Sequence, residues 1–183
     1  MIRIAILICA MPALLVLLAE EPAKNQGRAR FEAQFLEKFS AHHAGGIEMA
    51  QNCAGKGQHG ELKELCRTMA ARQLKEKQQM DAWRLDWYAG KLGASQSALQ
   101  KMQAEHGQHM QQLNAASGQP YDQLFMQLMV DHHKKGLADA KACQERAEHD
   151  ELKELCGTML ADQQKEIGLM EAWRSSARSA PAK

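Results

Sequence analysis

Between residues 60 and 89 the apolar side chains fall on one stripe. Leu62, Cys66, Met69, Met80, Trp83 and Trp87 belong to a series that steps alternately by four and three, the spacing of a helix seam buried in a bundle. Gln73 and Glu76 stand in the same series and interrupt it. The stripe recurs as Leu152, Cys156, Met159, Met170 and Trp173, interrupted by Gln163 and Glu166. The pattern predicts helices over about residues 29–54, 60–89, 121–145 and 150–177, with Gly55, Gly57 and Gly60 opposing a continuous helix between the first two. Asp150 is expected to cap the last helix, with Glu151 and Glu154 in its positive first turn. Residues 90–120 read as a polar connection holding a short helix at about 95–113, ended by Ser117-Gly118-Gln119-Pro120.

The two stripes belong to an internal duplication. Residues 35–83 laid on 125–173 match at 22 of 49 positions without a gap. Among the matches are Phe35/Phe125, His42-His43/His132-His133, Gly46/Gly136, Cys53/Cys143, His59/His149 and the run Glu61 to Cys66, repeated as Glu151 to Cys156. Each copy reads as a helical hairpin, residues 29–89 and 121–177, and neither can bury both faces alone. The fold expected is therefore all-α: an antiparallel four-helix bundle made from two tandem helical hairpins, one domain over residues 29–177. Both hairpin loops are expected at the same end, with a pseudo-twofold axis along the bundle.

A buried carboxylate needs a partner, because an uncompensated one costs several kcal/mol or takes up a proton. The hairpin register supplies one. Helices rise at the same rate, so level residues in an antiparallel hairpin have position numbers of constant sum. Pairing Cys53 with Cys66 sets His43 level with Glu76, Gly46 with Gln73 and Phe39 with Met80. Pairing Cys143 with Cys156 sets His133 level with Glu166, Gly136 with Gln163 and Met129 with Met170. Gly46 and Gly136, each inside a helix at a cost of about 1 kcal/mol, point to close helix approach or room for a ligand.

Imidazoles and thioethers gathered in these layers suit a soft metal ion, Cu(I) in preference to Cu(II), with silver as a substitute. The ligand candidates are His42, His43, Met80, Met129, His132, His133 and Met170, with Gln73, Glu76, Gln163 and Glu166 behind them as orienting partners. The alternative is a satisfied His–Glu layer that only fixes register, in a structural or interaction bundle. His106 and His109, near Met102 and Met110, form a secondary cluster that reads more simply as solvated surface. A di-iron oxidase is a weaker alternative, since neither Glu76 nor Glu166 has a histidine three residues on. No nucleophile–base pair or phosphate-cradling loop is evident, and the chain is expected not to be an enzyme.

Composition narrows the setting. The net charge of +1 is spread along the helices, which argues against nucleic acid as a partner. Met1 to Arg3 and the apolar run Ala5 to Ala19 read as a signal peptide over residues 1–19, placing the chain in the periplasm or outside the cell. Leu17 is atypical for cleavage after Ala19, so membrane attachment through an uncleaved leader stays open. In an oxidising compartment the four later cysteines are expected to pair as Cys53–Cys66 and Cys143–Cys156. The partners expected are a metal ion and a protein that exchanges it.

Tyr121-Asp122, Phe125, Met129, His132-His133, Gln163, Glu166-Ile167, Met170 and Trp173 together resemble the family of the domain of unknown function 305. The resemblance covers about residues 31–175. It implies a ferritin-like four-helix bundle exported from bacteria, of a kind that in some members binds copper or silver. Copy one departs from it at Phe39, where copy two has Met129, and at Lys77, where copy two has Ile167.

Overall fold

A computed structural model of the chain describes residues 13–89 and 93–179. These form α1 (Ala13–Lys56), α2 (Gly60–Tyr88), α3 (Gln96–Ala115), α4 (Gly118–Arg146) and α5 (Asp150–Ser179), and no strand occurs among the described residues. The leader expected over residues 1–19 lies outside the described residues up to residue 12. No described helix is long and apolar enough to cross a membrane.

Each hairpin closes in the register read from its cysteines. Cys53–Cys66 and Cys143–Cys156 are disulfides with Cα–Cα separations of 6.0 and 6.1 Å. Closing loops of this length removes on the order of 3 kcal/mol of unfolded-state disorder for each bridge. The same register levels His43 with Glu76 and His133 with Glu166, and both pairs are hydrogen-bonded.

The hairpins pack with their loops at opposite ends, which corrects the expectation of loops side by side. α1 runs antiparallel to α4, so that Lys38 pairs with Asp139 at 2.7 Å and Arg146 lies over the Phe31 ring. The pseudo-twofold axis therefore crosses the bundle instead of following it. Helix termini supply the reason. The turns that lead into α2 and α5 make no side-chain capping bond of their own: His59 makes none, and Asp150, expected as a cap, accepts from Lys153 Nζ at 2.7 Å instead. The other copy provides the caps. The buried Asp122 carboxylate accepts from the backbone N–H of Gln58 at 2.9 Å and of His59 at 3.1 Å, and pairs with His59 Nδ1 at 2.6 Å. Glu32, its equivalent in copy one, accepts from the N–H of Glu148 at 2.5 Å and of His149 at 3.0 Å, and pairs with His149 Nδ1 at 2.7 Å. Only the loop-to-far-end arrangement brings these groups together.

Burial alone would push the Glu32 carboxyl up. Hydrogen bonds from Tyr88, from His149 and from the Glu148 backbone outweigh it and hold the group below its ordinary range. Replacing Asp122 by alanine strips one turn of its cap, and we expect a loss of about 2 kcal/mol in urea unfolding, with Asp122→Asn recovering part of it.

Two apolar clusters result, each built from both copies. One joins Cys53, Cys66 and Met69 to Phe125, Met129 and Met170; the other joins Cys143, Cys156 and Met159 to Phe35, Phe39 and Met80. The fifth helix, α3, lies across α1 and α4 and buries Leu113.

Candidate metal centre

The polar residues of the two stripes meet in a layer between the apolar clusters. His43 and His133 are fully buried there. Each directs Nε2 at a glutamate oxygen, His43 at Glu76 over 2.8 Å and His133 at Glu166 over 2.7 Å. In a neutral ring whose Nε2–H donates to a carboxylate, Nδ1 carries the lone pair. Nδ1 of both rings is buried without a hydrogen-bond partner.

His42 and His132 come from opposite copies and stack face to face, with ring centres 3.8 Å apart and planes 3° from parallel. The two glycines make this possible. A Cβ on Gly136 would stand 2.8 Å from His42 Nε2 and 3.0 Å from Gln163 Oε1, and a Cβ on Gly46 would stand 3.0 Å from His132 Nε2 and against Gln73 Oε1. Each glycine is thus the floor on which the other copy's imidazole rests. Burial, reinforced by His43 and His133, pushes the His42 imidazole down to about 3. Burial, followed by His42 and His133, holds His132 well below its ordinary value. The neutral imidazole is the metal-binding form.

Six buried polar atoms in this layer have no hydrogen-bond partner: Nε2 of His42 and His132, Nδ1 of His43 and His133, and Oε1 of Gln73 and Gln163. Such atoms are rare in folded proteins, and each costs on the order of 1–3 kcal/mol unless a water or an ion meets it. Nitrogen lone pairs backed by carboxylates fit a transition ion. Among the described residues no three His, Cys, Asp or Glu groups are clustered as a metal-ligand set. Thioether sulfur therefore decides whether a ligand set can be completed.

The methionines are not gathered into one place. Met129 and Met170 share the cluster on one side of the layer, while Met80 lies in the cluster on the other. The seven candidate ligands divide accordingly into two half-sites related by the pseudo-twofold. In copy two, Met129 is one helical turn from His133 and shares its face. In copy one the equivalent residue is Phe39, whose ring packs against His42 at 5.2 Å and His43 at 5.0 Å between centres.

One participant went unread in the sequence. Arg72 donates through Nη2 to Glu166 Oε1, and its Nε lies 3.3 Å from Asp162 and 3.7 Å from Glu76. It joins the carboxylates of both copies. Arg72 and Asp162 are equivalent positions of the repeat, so opposite charges at one repeat position were the available signal. Burial would push the Glu166 carboxyl up, but His133 and then Arg72 outweigh it and hold the group below its ordinary range. The capping role of Glu32 and Asp122 left no signal in the repeat, because they stand three residues before the matched stretch; Asp122 entered only through the family resemblance.

The family model of DUF305, a domain of unknown function, matches residues 32–174. Among solved structures, the chain is similar to CopM in its Cu(II)-bound form, at 26% identity over 79% of this chain and 96% of that one, with a TM-score of 0.66. CopM in its Cu(I)-bound form aligns at the same identity and coverage, with a TM-score of 0.64. A DUF305 protein of Streptomyces coelicolor, inferred to be secreted, is 24% identical over 84% of this chain and 97% of that one, with a TM-score of 0.71, and speaks to the fold. No curated protein matches the chain.

Proposed function

The chain belongs to the DUF305 family, and from that premise we propose that it is an exported metal-binding protein that holds a copper-type ion through imidazole and thioether, for tolerance or transfer and not for catalysis. The carrying observation is His133: a fully buried ring anchored through Nε2 by Glu166, with Nδ1 left unpartnered in a core that holds Met129 and Met170. A carboxylate on the far nitrogen is how proteins orient a ligating histidine and fix its tautomer. Imidazole with thioether favours Cu(I), and silver follows the same preference for soft donors. The likeness to CopM, solved with Cu(I) and Cu(II), supports that choice of metal. Two disulfides and the leader-like start support export.

Copy two is the stronger half-site, because Phe39 takes the place of a thioether in copy one. Anaerobic titration of the purified protein with Cu(I) against a chromophoric chelator tests the proposal. One tight ion is expected, weakened at least ~100-fold when His133→Ala is combined with Met129→Leu and Met170→Leu. Equal affinity in the parent and the triple variant rejects it. Phe39→Met is expected to raise the stoichiometry from one ion to two.

Arg72 favours a second reading, in which the layer is purely structural, since its guanidinium already compensates the buried glutamates. On that reading Cu(I) leaves the melting temperature unmoved. A native-state ligand at 100 times its Kd instead adds about 2.7 kcal/mol.

A further inference from the structure

A cavity of about 490 Å³ opens between α1, α3 and α4, and imidazoles face it from both sides. His42 and His132 form its floor, and His106 and His109 line it from α3, with Met102 one turn away. The inner seam of α3 is Leu99, Met102, His106, His109 and Leu113, at spacings of three and four. A helix that only covered the bundle would carry aliphatic residues at the two central positions. Here both are histidines, opposite two more.

His106 is seated in room made for it. Its Nδ1 is buried without a hydrogen-bond partner and lies 3.1 Å from where a Cβ on Gly45 would stand. The repeat puts Lys135 at the position equivalent to Gly45. The outward contacts of the two α3 rings are exchangeable: His106 Nε2 meets Glu48 at 2.6 Å, and His109 Nε2 is 4.0 Å from Glu105. Pairs of this kind at the surface contribute about 0–1 kcal/mol. Burial, followed by the nearby His106, holds His109 below its ordinary value, which keeps it in the ligating form.

We infer that this cavity is a second metal site, for a divalent transition ion bound by imidazole, with His106 and His109 as its own donors and the His42–His132 stack completing the set. Among the described residues no three His, Cys, Asp or Glu groups converge, and Lys38, Lys101 and Lys135 also line the cavity. Binding therefore requires the His106 and His109 rings to turn from Glu48 and Glu105 into it while Lys38 stays paired with Asp139. Imidazole donors suit a divalent ion of the copper or zinc type, and Cu(II) heads the affinity order. The site shares the His42 and His132 rings with the candidate ligands of the layer, but its own donors, His106 and His109, lie on α3 and take no part in the His133, Met129 and Met170 set.

The test is Cu(II) titration of the full chain without reductant, with glycine as competitor, read by electron paramagnetic resonance for nitrogen coupling. One ion with at least two imidazole nitrogens is expected. His106→Ala combined with His109→Ala should weaken it on the order of 100-fold while anaerobic Cu(I) binding stays as it was. Unchanged Cu(II) affinity and nitrogen coupling in that variant overturn the site, as does Cu(II) spread over several weak positions that glycine strips. If the double variant loses helix by circular dichroism, His109→Gln alone is read by the same criteria. In the parent protein, tight Cu(II) binding without tight Cu(I) binding would sink the thioether centre and leave this site standing.

Discussion

Glu166→Ala should unfold at markedly lower urea than the parent protein, with a loss of about 3–4 kcal/mol, and Glu76→Ala should lose roughly half as much. The difference follows from what each carboxylate holds. Glu166 is 4% exposed at its side chain and accepts from both His133 and Arg72, one from its own copy and one from the other. Glu76 accepts from His43, but Arg72 Nε stands 3.7 Å away. Removing Glu166 leaves a half-buried guanidinium with Asp162 at 3.3 Å as its nearest remaining anion, and a buried imidazole with neither nitrogen satisfied. Glu166→Gln keeps an acceptor for His133 and should lose less than alanine. The substitution also reaches the metal, because a ligating ring that loses its anchoring carboxylate commonly binds 10–100-fold more weakly. Equal losses for Glu76→Ala and Glu166→Ala would show that Arg72 does not join the two copies.

What was legible in the sequence lies inside each hairpin. Two cysteines thirteen apart set the register, and the register alone brought His43 to Glu76 and His133 to Glu166, as the hydrogen bonds show. The orientation between hairpins was not legible, because a duplication describes what each copy repeats and not how one copy meets the other. That contact is decided by residues outside or against the repeat: Glu32 and Asp122, which cap the opposite turns, and Arg72, which stands where copy two has Asp162. Sequence proximity likewise made His106 and His109 look like surface. Only the docking of α3 over α1 and α4 brings them to the same cavity as His42 and His132. The two copies thus share the scaffold and nearly all of the polar layer, and differ at a few positions beside it. Phe39 against Met129 and Gly45 against Lys135 are differences of one residue, and each changes which side chains stand beside the histidines.

Acid should destabilise the metal-free protein well above the range in which carboxylates titrate. His42 is held down to about 3 and His132 well below its ordinary value, whereas in the unfolded chain both imidazoles take up protons near 6.5. Their contribution to stability is therefore complete above about pH 6.5 and is lost as the pH falls towards the folded values. Each proton bound by the unfolded chain and refused by the native one costs about 1.4 kcal/mol per pH unit. His42 alone costs on the order of 2 kcal/mol between pH 6.5 and 4.5, and His132 adds to the loss in the same direction. The depressed carboxyls of Glu166 and Glu32 act in the same direction lower down: their contribution is present above about 4.5 and lost as the pH drops through the folded values. Urea midpoints measured from pH 7.5 to 4.5 in the presence of a chelator should be level at first and then fall below pH 6.5, with a slope of at least about one proton. Replacing both stacked rings, His42→Gln with His132→Gln, should lower the midpoint at pH 7.5 and flatten the fall. A flat profile for the parent down to pH 5 would mean that the stack accepts a proton while folded, and a neutral, ligand-ready pair would not exist.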